Sequence, residues 1–285
     1  MQMILIPEGQ YEIGTNSEDG FPADLEGPKV SIATSAFHID ETTVTNEAFS
    51  MFIEDTHYVT EAERFGWSFV FSYFLNEDTK RNSQLIPNMS WWYAVKDANW
   101  RQPEGPNSTI LNRKDHPVVQ VSRNDAIAYC NWAGKRLPTE AEWEIAAKGG
   151  THFEKYPWGL DLLENDKYHC NIWQGEFPFT NDLSDGFAGT APAKHYDPNG
   201  YGCYQMIGNV WEWCSNPARI PLSQFQSSSS EYFWNNYQQI DDEVYAIRGG
   251  SFLCHQSYCK RYRIAARNGN SGMSAANNMG FRCVK

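Results

Sequence analysis

Two cysteines near the C-terminus, Cys254 and Cys259, lie in the part of the sequence with the most unusual chemistry. They are five positions apart, and residues 244–285 hold seven of the chain's 23 Lys and Arg residues but no Asp or Glu. Positively charged neighbours favour a thiolate over a thiol, and the thiolate is both the nucleophile and the metal ligand. The sequence therefore predicts a reactive dithiol site in this segment.

Several interpretations of the thiol pair stay open from the residues alone. Most cysteines are buried or bridged, so a structural disulfide or two buried thiols are ordinary outcomes. A closed zinc site needs about four ligands, and no second Cys/His pair at ligand spacing accompanies this one in the sequence. Two thiolates alone suit a soft ion of low coordination number, which among biological metals indicates Cu(I).

The bulk composition argues against several classes of protein. The length of 285 residues fits one large domain or two ordinary ones, and a net charge of −12 argues against a general binder of nucleic acid or anionic membranes. No apolar run reaches membrane-spanning length, and Met1 leads directly into the strand-like Met3–Ile6 without a signal peptide. We therefore expect a cytoplasmic protein. Seven cysteines are too few for a disulfide scaffold, and their odd number leaves at least one unpaired within the chain.

Local sequence patterns predict the elements that must position these residues. Capping residues followed by apolar periodicity predict helices over Asn46–Asp55, over Arg123–Ala133, and from Thr139 to Gly149. Short strands are predicted over Gln10–Ile13, Lys29–Ile32, Phe37–Ile39 and Ala246–Ser251. Between Gly150 and Ser251 the periodicity is weak, which predicts loops. No linker divides the chain, so we expect one α+β domain over residues 1–285 with abundant coil.

Longer motifs add a family resemblance to this description. The C-terminal region contains the motifs Gly249-Gly-Ser251, Cys254-His-Gln-Ser-Tyr-Cys259, Arg263, Ala265-Ala-Arg267 and Asn278-Met-Gly-Phe-Arg-Cys283. Upstream motifs include Trp100-Arg-Gln-Pro-Glu-Gly-Pro106, Arg136-Leu-Pro-Thr-Glu-Ala-Glu-Trp143 and Gly208-Asn-Val-Trp-Glu-Trp213. Together they resemble the formylglycine-generating enzymes, the sulfatase-modifying factors, over essentially the whole chain. The resemblance implies the fold of these enzymes, which is similar to that of C-type lectins.

The resemblance also implies a reaction. Enzymes of this family oxidise a cysteine in a Cys-x-Pro-x-Arg segment of an unfolded or nascent sulfatase to Cα-formylglycine, using O2 and a thiol reductant. It implies that Cys254 and Cys259 hold Cu(I), which supplies one-electron chemistry with O2 that no side chain can. His255 is assigned no role, since a residue adjacent to a ligand need not point the same way.

Other site residues are implied only by the resemblance. Ser251 and Trp211 match positions that line the oxygen and metal pocket, and Arg267 and Asn278 match positions that contact the substrate. Core packing stays an alternative for Trp211, because most tryptophans are largely buried. A structural ion pair stays an alternative for Arg267.

The resemblance further implies two calcium ions. One would bind Asn171, the Ile172 carbonyl, Asp185 and the Phe187 carbonyl; the other would bind Gln205, the Gly208 and Val210 carbonyls and Glu212. Such oxygen donors suit Ca²⁺, although polar residues of this kind also cap turns. Gln205 replaces the family's shorter Asn or Asp, which weakens the match of the second site.

Cys130 and Cys283 match a pair that is bridged in some relatives. We expect their side chains to be close, while a reducing cytosol opposes a bridge between them. The aromatic pair Trp91-Trp92 is expected to border a peptide groove. Residues 84–92 and 220–241 otherwise match no motif of the family, and a monomer is the default in the absence of an oligomerisation signal.

Three other functions compete with the oxidase. A non-catalytic relative could hold peptides or act like a chaperone, but it would not need the thiol pair. An iron oxygenase that joins sulfur to histidine derivatives would carry a His-x3-His-x-Glu motif, whereas the seven histidines here are scattered. A thiol–disulfide oxidoreductase would have Cys-x-x-Cys spacing at a helix N-terminus rather than Cys-x4-Cys.

Overall fold

The fold is described from a computed structural model that covers residues 2–238 and 243–285. Within these ranges no helix is long and apolar enough to cross a membrane. Of the segment 220–241, which matches no motif of the family, residues 239–241 lie outside the described residues.

Side-chain caps start most of the helices. In the described residues the α-helices are α1 (Asn46–Thr56), α2 (Glu61–Phe65), α3 (Glu77–Arg81), α4 (Arg123–Trp132), α5 (Glu140–Lys148), α6 (Gln224–Ser227) and α7 (Ser230–Asn236). Thr45, Ser122 and Thr139 each accept a hydrogen bond from the backbone N–H three residues later. The three predicted helices are therefore confirmed, with ends that differ by at most one residue. Single 3-10 turns lie at Pro22–Asp24 and Ser72–Phe74.

Within residues 2–238 and 243–285 the strands are short and distributed over six sheets. They are β1 (Met3–Ile6), β2 (Gly9–Ile13), β3 (Val30–Thr34), β4 (Phe37–Asp40), β5 (Trp67–Phe71), β6 (Gln84–Leu85), β7 (Trp92–Lys96), β8 (Leu163–Glu164), β9 (Lys167–Tyr168), β10 (Gly175–Glu176), β11 (Thr180–Asn181), β12 (Trp211–Pro217), β13 (Val244–Arg248), β14 (Asn268–Ser271) and β15 (Met279–Gly280). The first three predicted strands are confirmed with shifted ends. This mixture of elements with long coil segments confirms the α+β prediction.

The fourth predicted strand lies earlier than expected. It was predicted over Ala246–Ser251, but β13 ends at Arg248. Gly249 and Gly250 have φ values of +94° and +79°, a left-handed conformation that ends the strand and turns the chain. Ser251 and the two cysteines follow this turn, in a segment outside the strands.

A four-stranded sheet forms the centre of the molecule, in the order β14-β13-β12-β15. Strands β12 and β13 are antiparallel, with Glu212 opposite Arg248, while β12 and β15 are parallel, with Trp211 opposite Met279. All seven residues of β12 are buried, so the strand lacks the alternation of apolar and polar residues that marks a half-buried strand. That missing alternation explains why the sequence did not predict β12.

Four arginines of the C-terminal segment form buried ion pairs. Arg248 pairs with Glu140 and Glu144, Arg263 with Glu26, Arg267 with Glu140 and Arg282 with Glu212. All of these side chains are at most 6% exposed. The excess of positive charge in residues 244–285 is therefore largely neutralised inside the core, and it does not act as a whole on the cysteines. The prediction that the positive charges of this segment act together on the cysteines therefore has to be corrected.

The predicted proximity of Cys130 and Cys283 is confirmed. Their Sγ atoms lie 3.4 Å apart, and both side chains are fully buried. The two residues are free thiols, as are the other five cysteines.

Replacing Glu140 by Gln is expected to lower the free energy of unfolding by about 3–5 kcal/mol, because it leaves the buried Arg267 guanidinium without its carboxylate partner. Burial opposes ionisation of Glu140, but Arg267 and Arg248 together lower its pKa below the ordinary value. A lowered folded-state pKa contributes stability above the pKa of an unfolded glutamate and loses it as the pH falls. The difference between wild type and variant should therefore shrink towards acid pH.

Urea unfolding followed by tryptophan fluorescence measures this effect. Glu77→Gln is the matched control, because Glu77 pairs with Lys80 on the surface, where ion pairs contribute at most about 1 kcal/mol. Equal unfolding midpoints for Glu140→Gln and Glu77→Gln would contradict the structural role of the buried pairs.

Candidate active site

A cavity of about 660 Å³ opens beside the thiol pair. Of the residues predicted for catalysis and substrate binding, five line it: Cys254, Cys259, Ser251, Trp211 and Asn278. Aromatic and apolar side chains form much of the remaining wall, among them Phe65, Phe69, Met89, Trp92 and Met273. The sequence therefore identified the residues at the floor of the cavity but not most of its walls.

The two cysteine sulfurs lie 2.9 Å apart. This separation exceeds the roughly 2.05 Å of a disulfide bond, and the Cys254 thiol donates a hydrogen bond to the Cys259 sulfur. The turn between them is closed by the backbone N–H of Cys259, which donates to the carbonyl of His255 at 2.8 Å. The spacing of five positions thus brings two soft donors together at the cavity, a donor set that fits Cu(I).

The two thiols differ in their affinity for protons. The hydrogen bond from Cys254 lowers the pKa of Cys259 to about 7, against the effect of burial and with further help from Arg261. Burial and the neighbouring Cys259 raise the pKa of Cys254 well above its ordinary value. Cys259 is therefore the sulfur of the metal-free pair that loses its proton first, while Cys254 keeps its proton.

Ser251 connects the first cysteine to Asn278. The Ser251 backbone N–H donates to the Cys254 sulfur at 3.4 Å, and the Ser251 hydroxyl oxygen accepts from Asn278 Nδ2 at 3.0 Å and from the Leu253 N–H at 3.3 Å. A hydroxyl has two acceptor positions and one donor, so its hydrogen must point to a further acceptor. Trp211 lies alongside, and its backbone N–H donates to the Asn278 carbonyl at 2.9 Å.

Arg267 does not belong to the cavity. Its side chain is 1% exposed and donates to both carboxylate oxygens of Glu140, at 3.0 and 2.6 Å. It also donates to the carbonyls of Leu25 and Ile220, each at 2.9 Å. The prediction that Arg267 contacts the substrate does not fit this burial, and the structural ion pair, the alternative from the sequence, describes its position.

Three residues near the thiols were not singled out from the sequence. Arg261 lines the cavity next to Cys259, its Nε donates to Asp24 at 2.5 Å, and its guanidinium carbon lies 4.1 Å from the centre of the Phe21 ring. Asp24 and Arg261 are 237 positions apart. No local sequence pattern reveals a contact between residues so far apart in the chain. The one indication is that the two carboxylates, Asp24 and Glu26, have the same spacing as the two arginines that they pair with.

The aromatic residues around the thiol loop are ordered by ring contacts. Tyr258, between the two cysteines, stacks on Phe177 at 4.6 Å and meets the edge of Trp91 at 5.0 Å. Of the pair Trp91-Trp92, which is expected to border a peptide groove, Trp92 lines the cavity and Trp91 does not. The His255 ring contacts Ser257, with Nδ1 2.7 Å from the hydroxyl, and His255 is not among the residues that line the cavity.

The first predicted calcium set fits a hard cation. The carboxylate of Asp185 accepts hydrogen bonds from the backbone N–H groups of Ile172 and Phe187, at 3.0 and 3.2 Å, which places the three residues together. Asn171 Oδ1 is buried without a hydrogen-bond partner. Burial raises the pKa of Asp185 to about 6. A buried carboxylate near an unsatisfied amide oxygen is a donor set of the kind Ca²⁺ prefers.

The second predicted calcium set does not fit. Gln205 Oε1 is buried and unsatisfied, which alone would favour a ligand. However, Arg282 donates to both carboxylate oxygens of Glu212, at 2.7 and 2.8 Å, and the Trp143 indole N–H donates to one of them at 2.8 Å. The fixed guanidinium charge opposes a divalent cation at Glu212. The predicted set of Gln205, Gly208, Val210 and Glu212 therefore lacks a carboxylate that is free to bind Ca²⁺.

Comparisons with known proteins identify the family of this chain. The family model described as the sulfatase-modifying factor enzyme 1-like domain matches residues 1–285. The formylglycine-generating enzyme of Thermomonospora curvata is 47% identical over 282 residues, covering 99% of this chain and 92% of that protein. A Bos taurus relative, inactive C-alpha-formylglycine-generating enzyme 2, is 41% identical over 288 residues, covering 100% of this chain and 88% of that protein.

A solved structure agrees at the level of the fold. PvdO from Pseudomonas aeruginosa aligns with a TM-score of 0.69 and 22% identity, over 99% of this chain and 93% of PvdO. The family match over the full length and the identity to curated relatives lead to one conclusion. This chain belongs to the sulfatase-modifying factor family, which includes the formylglycine-generating enzymes.

Proposed function

We propose that this chain is an oxidase that converts a cysteine of a sulfatase polypeptide to Cα-formylglycine. The observation that carries the proposal is the pair of thiols, Cys254 and Cys259, 2.9 Å apart at a cavity large enough for part of a peptide. The relatives named formylglycine-generating enzyme support the same activity. The substrate segment that we propose is Cys-x-Pro-x-Arg in an unfolded or nascent sulfatase.

Cys254 and Cys259 would hold Cu(I), which when bound supplies one-electron chemistry with O2. Because metal binding requires deprotonated sulfur, the proton on Cys254 has to leave when both thiols become ligands. The Ser251 N–H donates to the Cys254 sulfur and so stabilises its negative charge. Asn278 donates to the Ser251 hydroxyl oxygen and so orients it, and the Ser251 side chain also hydrogen-bonds to Cys254.

The overall reaction balances with an external thiol reductant. The substrate side chain changes from CH2–SH to CHO: a C–H bond and the C–S bond break, and a C=O bond forms. Hydrogen sulfide and water leave, and O2 is reduced by electrons from the substrate carbon and from two reductant thiols, which become a disulfide. The chain's own task is to bind and orient the peptide and to hold the reacting sulfur away from bulk water.

The cavity wall suits an extended, unfolded polypeptide. Its rim includes Phe65, Met89, Tyr258 and Met273, which are all at least 36% exposed. Apolar side chains in such a position bind apolar or aromatic segments that a folded protein would bury. This supports a peptide substrate presented before folding is complete.

A second candidate is a non-catalytic peptide-binding member of the family. A Bos taurus relative, 41% identical, has inactive in its name, which supports considering a member without catalytic activity. In this chain the thiol pair at the cavity favours catalysis over binding alone. Both functions require that the peptide binds, but only the oxidase converts the bound peptide.

Incubation of the Cu(I)-loaded protein with a Cys-x-Pro-x-Arg peptide, thiol reductant and air is expected to convert the peptide. Mass spectrometry detects the mass change from CH2–SH to CHO. Cys254→Ser and Cys259→Ser are expected to abolish turnover, and Ser251→Ala to lower kcat by about 10–100-fold, the range for a group that tunes a metal ligand.

Cys203→Ala is the matched control, because Cys203 is a buried thiol outside the cavity and its loss should leave turnover intact. Peptide binding by the wild type without conversion would contradict the oxidase and favour the binding function.

We further propose that Asn171, Asp185 and the carbonyls of Ile172 and Phe187 hold one Ca²⁺. A site of this kind would tie together loops that contain little regular structure. Calcium at about 100 times its Kd is expected to stabilise the fold by about 2.7 kcal/mol, so that EGTA lowers the Tm of the wild type. Asp185→Asn should abolish this response.

Asp182→Asn is the control for calcium, because Asp182 lies in the same loop and is exposed. A wild-type Tm that is identical in EGTA and in excess calcium would refute the proposed calcium site.

A further inference from the structure

Two acidic residues near the N-terminus contact the segment that follows the thiol pair. Asp24 accepts from Arg261 at 2.5 and 3.3 Å, and Glu26 accepts from Arg263 at 2.7 and 2.8 Å. The carboxyl side chains are 1% and 5% exposed. The two ion pairs therefore have the same chemistry, similarly buried carboxylates, and positions two residues apart on the same pair of segments.

The two pairs differ in what the arginine contacts. Arg261 lines the cavity and interacts with the Cys259 sulfur, whereas Arg263 is not among the residues that line the cavity, and its Nε donates to the Lys260 carbonyl at 2.9 Å. The Phe21 ring covers the Arg261 guanidinium at 4.1 Å. Arg261 is thus confined by a carboxylate and an aromatic ring, with its charge beside the sulfur.

Confinement matters because an arginine side chain is long and flexible. Ordering such a side chain costs conformational entropy of up to about 2 kcal/mol, and Arg261 is 19% exposed, so solvent is within its reach. Without a fixed counter-ion the guanidinium can turn away from the sulfur into the cavity. Asp24 removes that freedom through hydrogen bonds from two nitrogen atoms of the guanidinium.

We propose that Asp24 is a positioning residue for the thiol site: it holds the Arg261 guanidinium against Cys259 and so stabilises the sulfur as a copper ligand. The inference rests on the proposed copper site. This role differs from the general stabilising role of the buried ion pairs. The Asp24–Arg261 pair affects metal binding, whereas the similar Glu26–Arg263 pair does not.

Cu(I) affinity, measured by competition with bathocuproine disulfonate, tests the proposal. Asp24→Asn is expected to weaken Cu(I) binding by about 10–100-fold, as for other groups that orient metal ligands, and to lower kcat with little change in KM. Glu26→Gln is the matched control, since it breaks the similar ion pair and should lower the Tm by a comparable amount while leaving Cu(I) affinity unchanged.

A second variant keeps the test valid if Asp24→Asn folds poorly. Arg261→Met should weaken Cu(I) binding to the same extent as Asp24→Asn, and the double variant should show no additional loss, because Asp24 acts through Arg261. Additive losses, or equal losses for Asp24→Asn and Glu26→Gln, would overturn the proposal.

Failure of the copper site itself is distinguishable from failure of this inference. If the wild type binds no Cu(I), the copper proposal is wrong, and the rate of Cys259 alkylation by iodoacetamide in the metal-free protein decides the role of Asp24. A rate that changes at least about 10-fold in Asp24→Asn but not in Glu26→Gln supports positioning of the sulfur. Equal rates in both variants overturn it.

Discussion

Buried arginine–carboxylate pairs are the interaction on which the rest of this structure depends. The thiols lie on a loop without regular secondary structure, between the end of β13 and the start of β14. On either side of them, Arg248, Arg263 and Arg267 are tied to Glu144, Glu26 and Glu140 in the core. Removing one partner of such a pair leaves an unpaired buried charge, so the loop has few alternatives to the observed conformation.

The electrostatics of the site are local. The chain has a net charge of −12, yet the cavity wall is mainly apolar, and in the described part of the chain Arg261 is the only Arg, Lys, Asp or Glu that lines it. Among the described residues, the proton affinities of the two thiols therefore depend mostly on the hydrogen bond between them and on one guanidinium. This arrangement gives the two sulfurs different proton affinities, and a metal that binds both has to displace the proton of the more basic one.

The parts of the fold that follow local rules could be predicted from the sequence. Thr45, Ser122 and Thr139 cap helices through contacts within one turn, and those three helices lie where expected. Strand β12 could not be predicted, because burial on both faces removes the alternation that identifies a strand. Cys254 and Cys259 were found from their spacing and their positively charged neighbours, whereas Ser251, Trp211 and Asn278 were found only through the family resemblance.

The errors in the site have a common physical cause. Arg267 was expected at the substrate, and the cluster of positive charge was expected to act on the thiols, but the partners of these arginines come from distant segments. Asp24 was missed for the same reason. Sequence spacing reports contacts within an element, whereas these contacts depend on how the N-terminal loop packs against the C-terminal one.

X-ray absorption at the copper edge of the Cu(I)-loaded protein identifies the atoms that bind the metal. We expect a first shell of sulfur from two cysteines, which loses sulfur in both Cys254→Ser and Cys259→Ser. A first shell made of nitrogen or oxygen, or one that is unchanged in either variant, would contradict the assignment of the thiol pair as the copper site.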